Sequence, residues 1–407
     1  MKLPELLAPA GNSEKLRVAM HYGADAVYLG LSEFSLRAKS GGFSETEIHK
    51  AIELTHRAGK KAYVTINIFP HNRDIGLISD HISFLTAAAP DGVIVSDLGV
   101  FELMTKHAPQ IPIHISTQAN ITNYKSAKFW ERMGAARLVL SRELTIEEIS
   151  EIRAQVSLEL ECFVHGSICI SYSGRCYISS FLANRSANEG LCTNSCRWQY
   201  TLMEEKRPGE YFPVYENQRG TYVLSSKDLC MLPHLDKLYK AGINSFKIEG
   251  RMKGINYLAG VTAVYRDAID SLSCSDYKVE ESWLQTLKMS SNRGFTTGMF
   301  MGAHPQNDYN HDDGEVYTAT HALVGIVAAI NPDGIGEVLL RNNLKVGDTV
   351  VVQIKNQQNS EFEVSHIKDI EGNEVISAHN EQTVIIPLPA KASVNDLIRC
   401  KINKSAI

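Results

Sequence analysis

A regular alternation of short apolar runs and amphipathic stretches across residues 1–165 is the feature that most constrains the fold of this chain. Most of the runs lack an alternation of apolar and polar residues, which is typical of parallel strands buried on both faces. The sequence therefore predicts seven parallel strands in this region. They are Glu5–Pro9, Asp25–Gly30, Lys61–Asn67, Gly92–Asp97, Ile113–Gln118, Ala136–Ser141 and Leu158–Gly166.

Helical segments lie between these runs, and three of them begin at a residue that favours a helix N-cap: Asn12–His21, Ser44–Ala58 and Thr145–Ala154. Strands that alternate with helices predict an all-parallel α/β fold. The turn after the first strand, Ala8–Asn12, lacks the G-x-G-x-x-G fingerprint of an open nucleotide-binding sheet. A closed (β/α)8 barrel, of the TIM type, is therefore favoured over an open sheet.

The eighth strand is expected at Ser245–Gly250, after an insertion at about residues 166–243. Tyr222–Ser226 is the alternative for this strand, although it also belongs to an expected hairpin at Tyr211–Ser226. A helix is expected at Leu232–Ala241. We thus expect residues 1–302 to form the barrel together with its insertion.

Short strand-like runs separated by turns replace the strand–helix alternation after about residue 318. Residues 318–407 are therefore expected to form a small antiparallel β-barrel or sandwich, joined to the first domain by a linker at 303–317. The expected strands are Ala322–Ile330, Gly336–Leu340, Asp348–Lys355, Glu361–Lys368 and Gln382–Pro387.

The composition is that of an ordinary soluble globular protein, with 44% hydrophobic and 21% charged residues. A net charge of −5 argues against a globally basic nucleic-acid coat, but not against a local basic patch. No apolar run reaches the roughly 18 residues of a membrane span, and the N-terminus shows no signal-peptide pattern. We therefore expect a cytoplasmic protein, with no membrane partner, in which cysteines stay reduced.

Cysteines are concentrated in the insertion, and four of them lie on a polar, glycine-containing loop: Cys169, Cys176, Cys192 and Cys196. Thiolates are soft ligands that suit an iron–sulfur cluster or zinc. Structural zinc sites usually present two C-x2–4-C knuckles, whereas only Cys192 and Cys196 are that close together. An iron–sulfur cluster is therefore favoured, with zinc or buried structural cysteines as alternatives. Cys230, later in the insertion, competes with Cys196 as the fourth ligand.

Polar residues at the carboxyl ends of barrel strands are the expected functional positions. Such residues are Asn67, Asp97, Gln118, Arg142, His165 and Glu249. Asn67 and Asp97 are candidate catalytic residues that have helix capping as their alternative role. Gln118 is a poorer cap, so we expect it in the pocket.

His165 and Glu249 are the candidate acid–base residues. His165 has an ordinary pKa of about 6.5 and is expected either to carry a proton or to be a satisfied core histidine. Glu249 is expected to act as a general base or to form an ion pair with Lys247 or Arg251. Because Lys247 and Glu249 are two residues apart on a strand, they should face the same side.

Basic and aromatic residues are interleaved in and beside the insertion, a pattern that suits stacking and hydrogen bonding to an unstacked RNA base. The basic residues are Arg175, Arg185, Arg197, Arg207, Arg219, Arg251 and Lys253, and the aromatic ones Tyr172, Tyr177, Trp198 and Tyr200. From this set we select Arg175, Arg197, Arg251, Tyr172 and Trp198 as candidate substrate-binding residues. Arginine also binds carboxylates through two hydrogen bonds, so one of them is a candidate for an acidic small molecule.

Several motifs together resemble those of peptidase family U32. The segments Glu161–Cys169 and Gly174–Ser179 resemble the family signature, and Gly190–Trp198 resembles the second cysteine pair of its RNA-modifying branch. Further matching segments are Leu7–Gly11, Lys247–Arg251 and Asn292–Gly298. The resemblance extends over essentially the whole chain, including the C-terminal β-rich domain.

This resemblance implies a function that composition and spacing do not give. Family members with this cysteine pattern hydroxylate RNA bases or ubiquinone precursors and carry a 4Fe–4S cluster. The pair Cys192 and Cys196 favours the RNA branch. That branch implies hydroxylation of the wobble uridine in the tRNA anticodon loop to 5-hydroxyuridine, with prephenate as co-substrate and source of the hydroxyl.

The alternative functions are a U32-type peptidase or collagenase acting on peptides, and a non-catalytic scaffold that holds a metal. Neither H-E-x-x-H nor G-x-S-x-G occurs in the chain. Cys169 with His165 is the remaining candidate nucleophile pair. A cysteine that ligates iron cannot also attack a peptide, so the peptidase and cluster hypotheses exclude each other at Cys169.

Overall fold

The computed structural model describes residues 2–31, 42–169, 171–197, 215–217, 220–222, 227–274, 276–302 and 318–402, with backbone alone at 197, 215–217 and 220–222. The expected linker at 303–317 lies outside these ranges, as does Trp198. In the described part of the chain, no helix combines the length and apolar character needed to cross a bilayer.

Eight parallel strands close into a barrel, as the strand–helix alternation predicts. Successive strands from β1 to β7 pair in chain order, and β11 pairs with both β1 and β7, which closes the ring. The strand expected at Ser245–Gly250 is thus the eighth. In chain order the strands of this part are β1 (Glu5–Pro9), β2 (Ala26–Gly30), β3 (Lys61–Ile66), β4 (Gly92–Val95), β5 (Ile113–Ile115), β6 (Arg137–Val139), β7 (Glu159–Ser167), β8 (Tyr215–Asn217), β9 (Gly220–Tyr222), β10 (Asp228–Cys230), β11 (Ser245–Ile248) and β12 (Phe295–Thr296).

Helices pack outside the barrel, and the expected N-caps are present. Asn12 caps α1, while Ser44 and Thr145 form capping boxes at α2 and α6, so side chains satisfy backbone N–H groups that have no partner within the helix. The helices are α1 (Ser13–His21), α2 (Glu45–Arg57), α3 (Ile75–Ala88), α4 (Leu98–His107), α5 (Tyr124–Met133), α6 (Ile146–Arg153), α7 (Ile178–Ala183), α8 (Leu235–Lys240), α9 (Ile255–Ser271) and α10 (Glu281–Met289).

The insertion leaves the barrel at β7 and returns alongside it. β10 pairs antiparallel with the end of β7, with Asp228 opposite Ser167 and Cys230 opposite His165, and β12 extends this pairing. The expected hairpin is present as the pair β8–β9, and the expected helix begins with a 3-10 turn at Leu232–His234. This route holds the cysteine-bearing segment at the carboxyl end of the barrel.

An eight-stranded antiparallel sheet forms most of the C-terminal domain and confirms its expected class. The expected strand Glu361–Lys368 is two strands, and β22, in the middle of the sheet, was not expected. The strands are β13 (His321–Ile330), β14 (Ile335–Leu340), β15 (Leu344–Lys345), β16 (Thr349–Gln353), β17 (Ser360–Glu363), β18 (Ile367–Lys368), β19 (Glu374–Val375), β20 (Ser377–Ala378), β21 (Thr383–Pro387) and β22 (Leu397–Lys401).

Buried polar groups join the two domains. The Tyr22 hydroxyl donates to the carbonyl of Gln353 at 2.8 Å and accepts from the backbone N–H of Leu397 at 2.9 Å. Arg399, whose side chain is fully buried, reaches from β22 to donate to the backbone carbonyl of Asn256 at 2.9 Å. Burial lowers the pKa of Arg399 to about 10. The domains therefore dock through specific hydrogen bonds as well as apolar contact.

Candidate active site at the mouth of the barrel

A cavity of about 340 Å³ lies at the carboxyl ends of the barrel strands, beneath the insertion. Both the barrel and the insertion contribute to its walls, and cavities of this size hold small molecules or single bases. The barrel side carries Asn67, Gln118, Arg142, Lys247, Glu249 and Arg251, and the insertion side carries Cys169, Tyr172, Cys176, Cys192 and Cys196. The structure thus brings all four loop cysteines to one cavity.

None of the four cysteines is in a disulfide, and all four are at least partly accessible. Cys192 Sγ accepts a hydrogen bond from the backbone N–H of Asn194 at 3.4 Å and lies 3.9 Å from the Ser179 hydroxyl. Among the described residues, no three His, Cys, Asp or Glu side chains stand in an arrangement that could hold a metal ion. The donor set is therefore gathered around one cavity without being preassembled.

Close backbone packing holds the cysteine loop on the barrel. Gly174 has φ +71°, and a Cβ at this position would lie 2.1 Å from the carbonyl oxygen of Gln118. Glu143, just beyond β6, accepts hydrogen bonds from the backbone N–H of Ser173 at 2.8 Å and from its hydroxyl at 3.0 Å. The segment between Cys169 and Cys176 is thereby fixed over the cavity.

A second set of contacts holds the segment before Cys192. The backbone N–H of Phe69, in the loop after β3, donates to the carbonyl of Asn188 at 2.9 Å. The Arg73 guanidinium forms an ion pair with Glu189 at 3.0 Å, and the Asn188 amide donates to the carbonyl of Cys176 at 3.4 Å. The insertion therefore contacts the barrel on two sides of the cavity.

Gly174→Ala is expected to displace the cysteine loop while leaving the barrel folded. A side chain in the left-handed region costs about 1–2 kcal/mol, and the overlap with Gln118 adds to this, so activity dependent on the loop should fall by roughly tenfold or more. Gly134→Ala is the matched control, because Gly134 has φ +92° with no atom within 4 Å of its Cβ position. Activity assays and thermal melts of both variants test this; equal effects of the two substitutions would contradict it.

A buried ion-pair network lies below the cavity, inside the barrel. Lys247 Nζ donates to Glu161 at 2.8 Å, and Glu161 also accepts from Arg137 at 3.0 Å. Burial alone would raise the pKa of Glu161, but the two cations outweigh it and hold the pKa below its ordinary value. Lys247 therefore forms its ion pair with Glu161, whereas one alternative from the sequence paired it with Glu249.

Glu249 and Arg251 follow β11 and line the cavity, Glu249 on the same side as Lys247, as their spacing predicts. A Glu249 carboxylate oxygen accepts from the Tyr28 hydroxyl at 3.4 Å. Arg251 is buried and its guanidinium lies 3.4 Å from the Thr65 hydroxyl. Both residues therefore occupy positions where they would meet a ligand.

Two further predicted residues lie in the core and not on the cavity wall. His165 is buried, and its Nδ1 forms a hydrogen bond with the Tyr265 hydroxyl at 3.3 Å. Burial lowers the pKa of His165 to about 4, and among the described residues no hydrogen bond joins its imidazole to Cys169. Cys230 is buried beside the same tyrosine, and burial raises its pKa to about 11. His165 is therefore placed as a core histidine with a hydrogen-bond partner. Cys196 lines the cavity and Cys230 does not, which favours Cys196 as the candidate fourth ligand.

The remaining candidates divide between cavity, cap and surface. Asp97 accepts from the backbone N–H groups of Gly99 at 2.8 Å and Val100 at 3.1 Å, so it is the N-cap of α4 and not a cavity residue. Asn67 and Gln118 do line the cavity, as does Tyr172, although that ring is 62% exposed. Arg175 is exposed and outside the lining. The side chains of Arg197 and Trp198 lie outside the described residues.

Glu143 is the residue of this region that sequence reasoning missed. It lies in the turn after β6, next to Arg142, and its carboxylate anchors the loop bearing Ser173. Its position directly after a strand-end arginine was a usable signal, since polar residues cluster at that end of barrel strands. The contact itself joins residues that are 30 apart in the chain and was not predictable from spacing.

Comparisons with known proteins agree with the motif resemblance. The profile of "Peptidase family U32" matches residues 11–310, and that of "Peptidase family U32 C-terminal domain" matches residues 319–399. The chain is 36% identical over 434 residues to "tRNA hydroxylation protein P" of Escherichia coli, covering 96% of this chain and 95% of the relative. It is 38% identical over 403 residues to "tRNA hydroxylation protein P1" of Bacillus subtilis, covering 98% and 95%. It is also 32% identical over 364 residues to "Collagenase" of Porphyromonas gingivalis, covering 86% of each.

Proposed function

The chain belongs to peptidase family U32, and from this premise we propose that it is an RNA-modifying hydroxylase that acts on transfer RNA. The observation that carries the proposal is its similarity, over nearly the full length of both chains, to two proteins named for tRNA hydroxylation. In its finer form the proposal is hydroxylation of the wobble uridine to 5-hydroxyuridine in the anticodon loop, dependent on an iron–sulfur cluster and on prephenate.

The chemistry of the donor set supports an iron–sulfur cluster. Cys169, Cys176, Cys192 and Cys196 would hold it, because four soft thiols line one cavity and one of them already accepts a backbone N–H. A 4Fe–4S cluster supplies electron transfer or a Lewis-acidic iron when it is bound. The absence of a preassembled arrangement fits a site that is ordered by its metal, since metal binding and local folding are coupled.

The barrel side of the cavity supplies groups for a pyrimidine base. The Gln118 and Asn67 amides each offer a donor and an acceptor, which matches the alternating polar edge of uracil. Glu249 would take up a proton from the base or its hydroxyl, as a general base. Tyr172, exposed at the rim, would stack on the same base or its neighbour.

Analysis of tRNA nucleosides tests the proposal directly. Cells that lack this chain should lose 5-hydroxyuridine derivatives from their tRNA, and the wild-type gene should restore them. A strain carrying Gln118→Ala should restore them poorly, whereas the exposed-surface variant Arg132→Ala should restore them fully. Unchanged levels of the modified nucleoside in the deletion strain, with no second enzyme of the same activity in those cells, would refute the tRNA proposal.

A peptidase is the second candidate, favoured by the relative named as a collagenase. The geometry of the site gives it little support, because His165 faces the core and forms no hydrogen bond with Cys169. Incubation of the purified protein with gelatin tests it. Cleavage that is lost in Cys169→Ala and survives removal of iron would establish the peptidase and overturn the cluster at that cysteine.

A further inference from the structure

We propose that Arg142 binds a carboxylate of a small organic acid in the cavity, beside the place proposed for the base. This inference deepens the proposed function, on which it rests, because it assigns a binding residue to the acidic co-substrate. Arg142 leaves β6 at the carboxyl end of the barrel and lines the cavity with the four cysteines.

The contacts of Arg142 leave its charge unmatched. Its Nη1 donates to the carbonyl of Ser167 at 3.0 Å, and its guanidinium carbon lies 4.2 Å from the centre of the Phe163 ring. The Nε group is buried and has no hydrogen-bond partner. Within the part of the chain that the structure describes, none of its contacts is with a carboxylate. A partly buried arginine without a counter-charge is a common feature of anion-binding sites.

The neighbouring acidic and basic residues are already engaged. Glu143, next in the chain, accepts hydrogen bonds from Ser173 at 2.8 Å and Asn120 at 3.4 Å, and so holds the cysteine loop. Two other cations line the cavity: Lys247 is paired with the buried Glu161 at 2.8 Å, and the buried Arg251 donates to the Thr65 hydroxyl at 3.4 Å. Arg142, by contrast, donates to a backbone carbonyl and keeps a buried Nε without a hydrogen-bond partner, which leaves its charge available to a ligand anion.

The shape of the pocket favours a small acid over a phosphate of the RNA backbone. A volume of about 340 Å³ suits a compact ligand, and the wall around Arg142 includes the apolar side chains Val139 and Phe163. The Phe163 ring, 4.2 Å from the guanidinium carbon, holds the arginine against an apolar surface, and a guanidinium can bind a carboxylate through two parallel hydrogen bonds. RNA phosphates usually contact exposed basic side chains, whereas Arg142 lies beneath the loop that carries Cys169.

Calorimetric titration of the full-length protein with prephenate, and separately with inorganic phosphate, tests this assignment. Wild type should bind prephenate and show no measurable affinity for phosphate at the same concentration. Arg142→Met removes the charge at similar volume and should weaken prephenate binding by roughly 30-fold or more. Arg142→Lys keeps the charge but loses the planar guanidinium, so its affinity for prephenate should lie between those of wild type and Arg142→Met. Arg132→Met, on the exposed face of α5, should bind as wild type does.

The outcomes separate this inference from the proposed function. Thermal melts establish that each variant is folded, and gel-shift assays with tRNA show whether RNA binding changes. Weaker prephenate binding with unchanged tRNA binding supports the inference. Equal prephenate affinity in wild type and Arg142→Met, no prephenate binding by folded wild type, or loss of tRNA binding alone, would each overturn it. Nucleoside analysis of the deletion strain decides the tRNA proposal independently of these titrations.

Discussion

Cys176→Ala is expected to leave the purified protein without iron and to abolish tRNA hydroxylation in a complemented deletion strain. Cys176 lies between the two anchored segments of the insertion, and its thiol lines the cavity with three others. A 4Fe–4S cluster needs four ligands, so one missing thiolate should destabilise the whole cluster. Wild type purified without oxygen should contain about four iron and four sulfide per chain. Iron, sulfide and visible absorption measure the effect.

Two cysteines outside the cavity provide matched controls for this experiment. Cys274→Ala, at an exposed and isolated position, and Cys230→Ala, in the core, should both retain iron. Cys196→Ala should lose it. If Cys230→Ala lost iron and Cys196→Ala retained it, the fourth ligand would be Cys230. Colourless wild-type protein with stoichiometric zinc would overturn the iron–sulfur proposal.

Glu161→Gln is expected to destabilise the barrel by about 3–5 kcal/mol, because it leaves the buried Lys247 without a carboxylate partner and removes one of the three carboxylates around Arg137. Lys247 and Arg137 contact this carboxylate at 2.8 Å and 3.0 Å, and its exposed fraction is 0%. Glu159→Gln is the control, since Glu159 contacts the same Arg137 with its side chain 53% exposed, and should change stability by less than about 1 kcal/mol. Urea unfolding at neutral pH measures both; equal losses would contradict the argument from burial.

The stability of wild type relative to Glu161→Gln should also depend on pH. The folded-state pKa of Glu161 is held below its ordinary value of 4.5, so its stabilising effect is fully present above that pH. As the pH falls below 4.5 and through the lower folded-state pKa, protonation removes this contribution. The difference in unfolding free energy between wild type and Glu161→Gln should therefore be largest above about pH 5 and shrink in stronger acid. A constant difference from pH 7 to pH 3 would contradict it.

The barrel was predictable from sequence because parallel strands buried on both faces leave continuous apolar runs. Strand β22 was not, because Arg399 interrupts its apolar pattern and reads as a surface residue. In the structure that arginine is buried against Asn256 of α9, a contact between residues 143 apart in the chain. Local hydropathy reports the average environment of a residue type and has no access to such partners.

The cysteines of the site were predictable from sequence, and its acid–base residues were less so. Four clustered cysteines, Gln118 and Glu249 reach the cavity, as strand ends and loop spacing indicated. His165 does not, because the pairing of β7 with β11 shifts register beside it: Phe163 is opposite Lys247, whereas His165 is opposite Ile248. A shift of one residue reverses the face that a side chain occupies, and a single sequence does not reveal such a bulge.

The hydrogen bonds of Tyr22 and Arg399 across the domain junction have an evolutionary consequence. Each half conceals polar atoms whose partners belong to the other half, so separating the halves would leave those atoms without their hydrogen bonds. Exchange of the C-terminal sheet between relatives is therefore constrained to sheets that bring an equivalent arginine and backbone. Residues at this junction should therefore covary across species more strongly than residues of the neighbouring surface strands do.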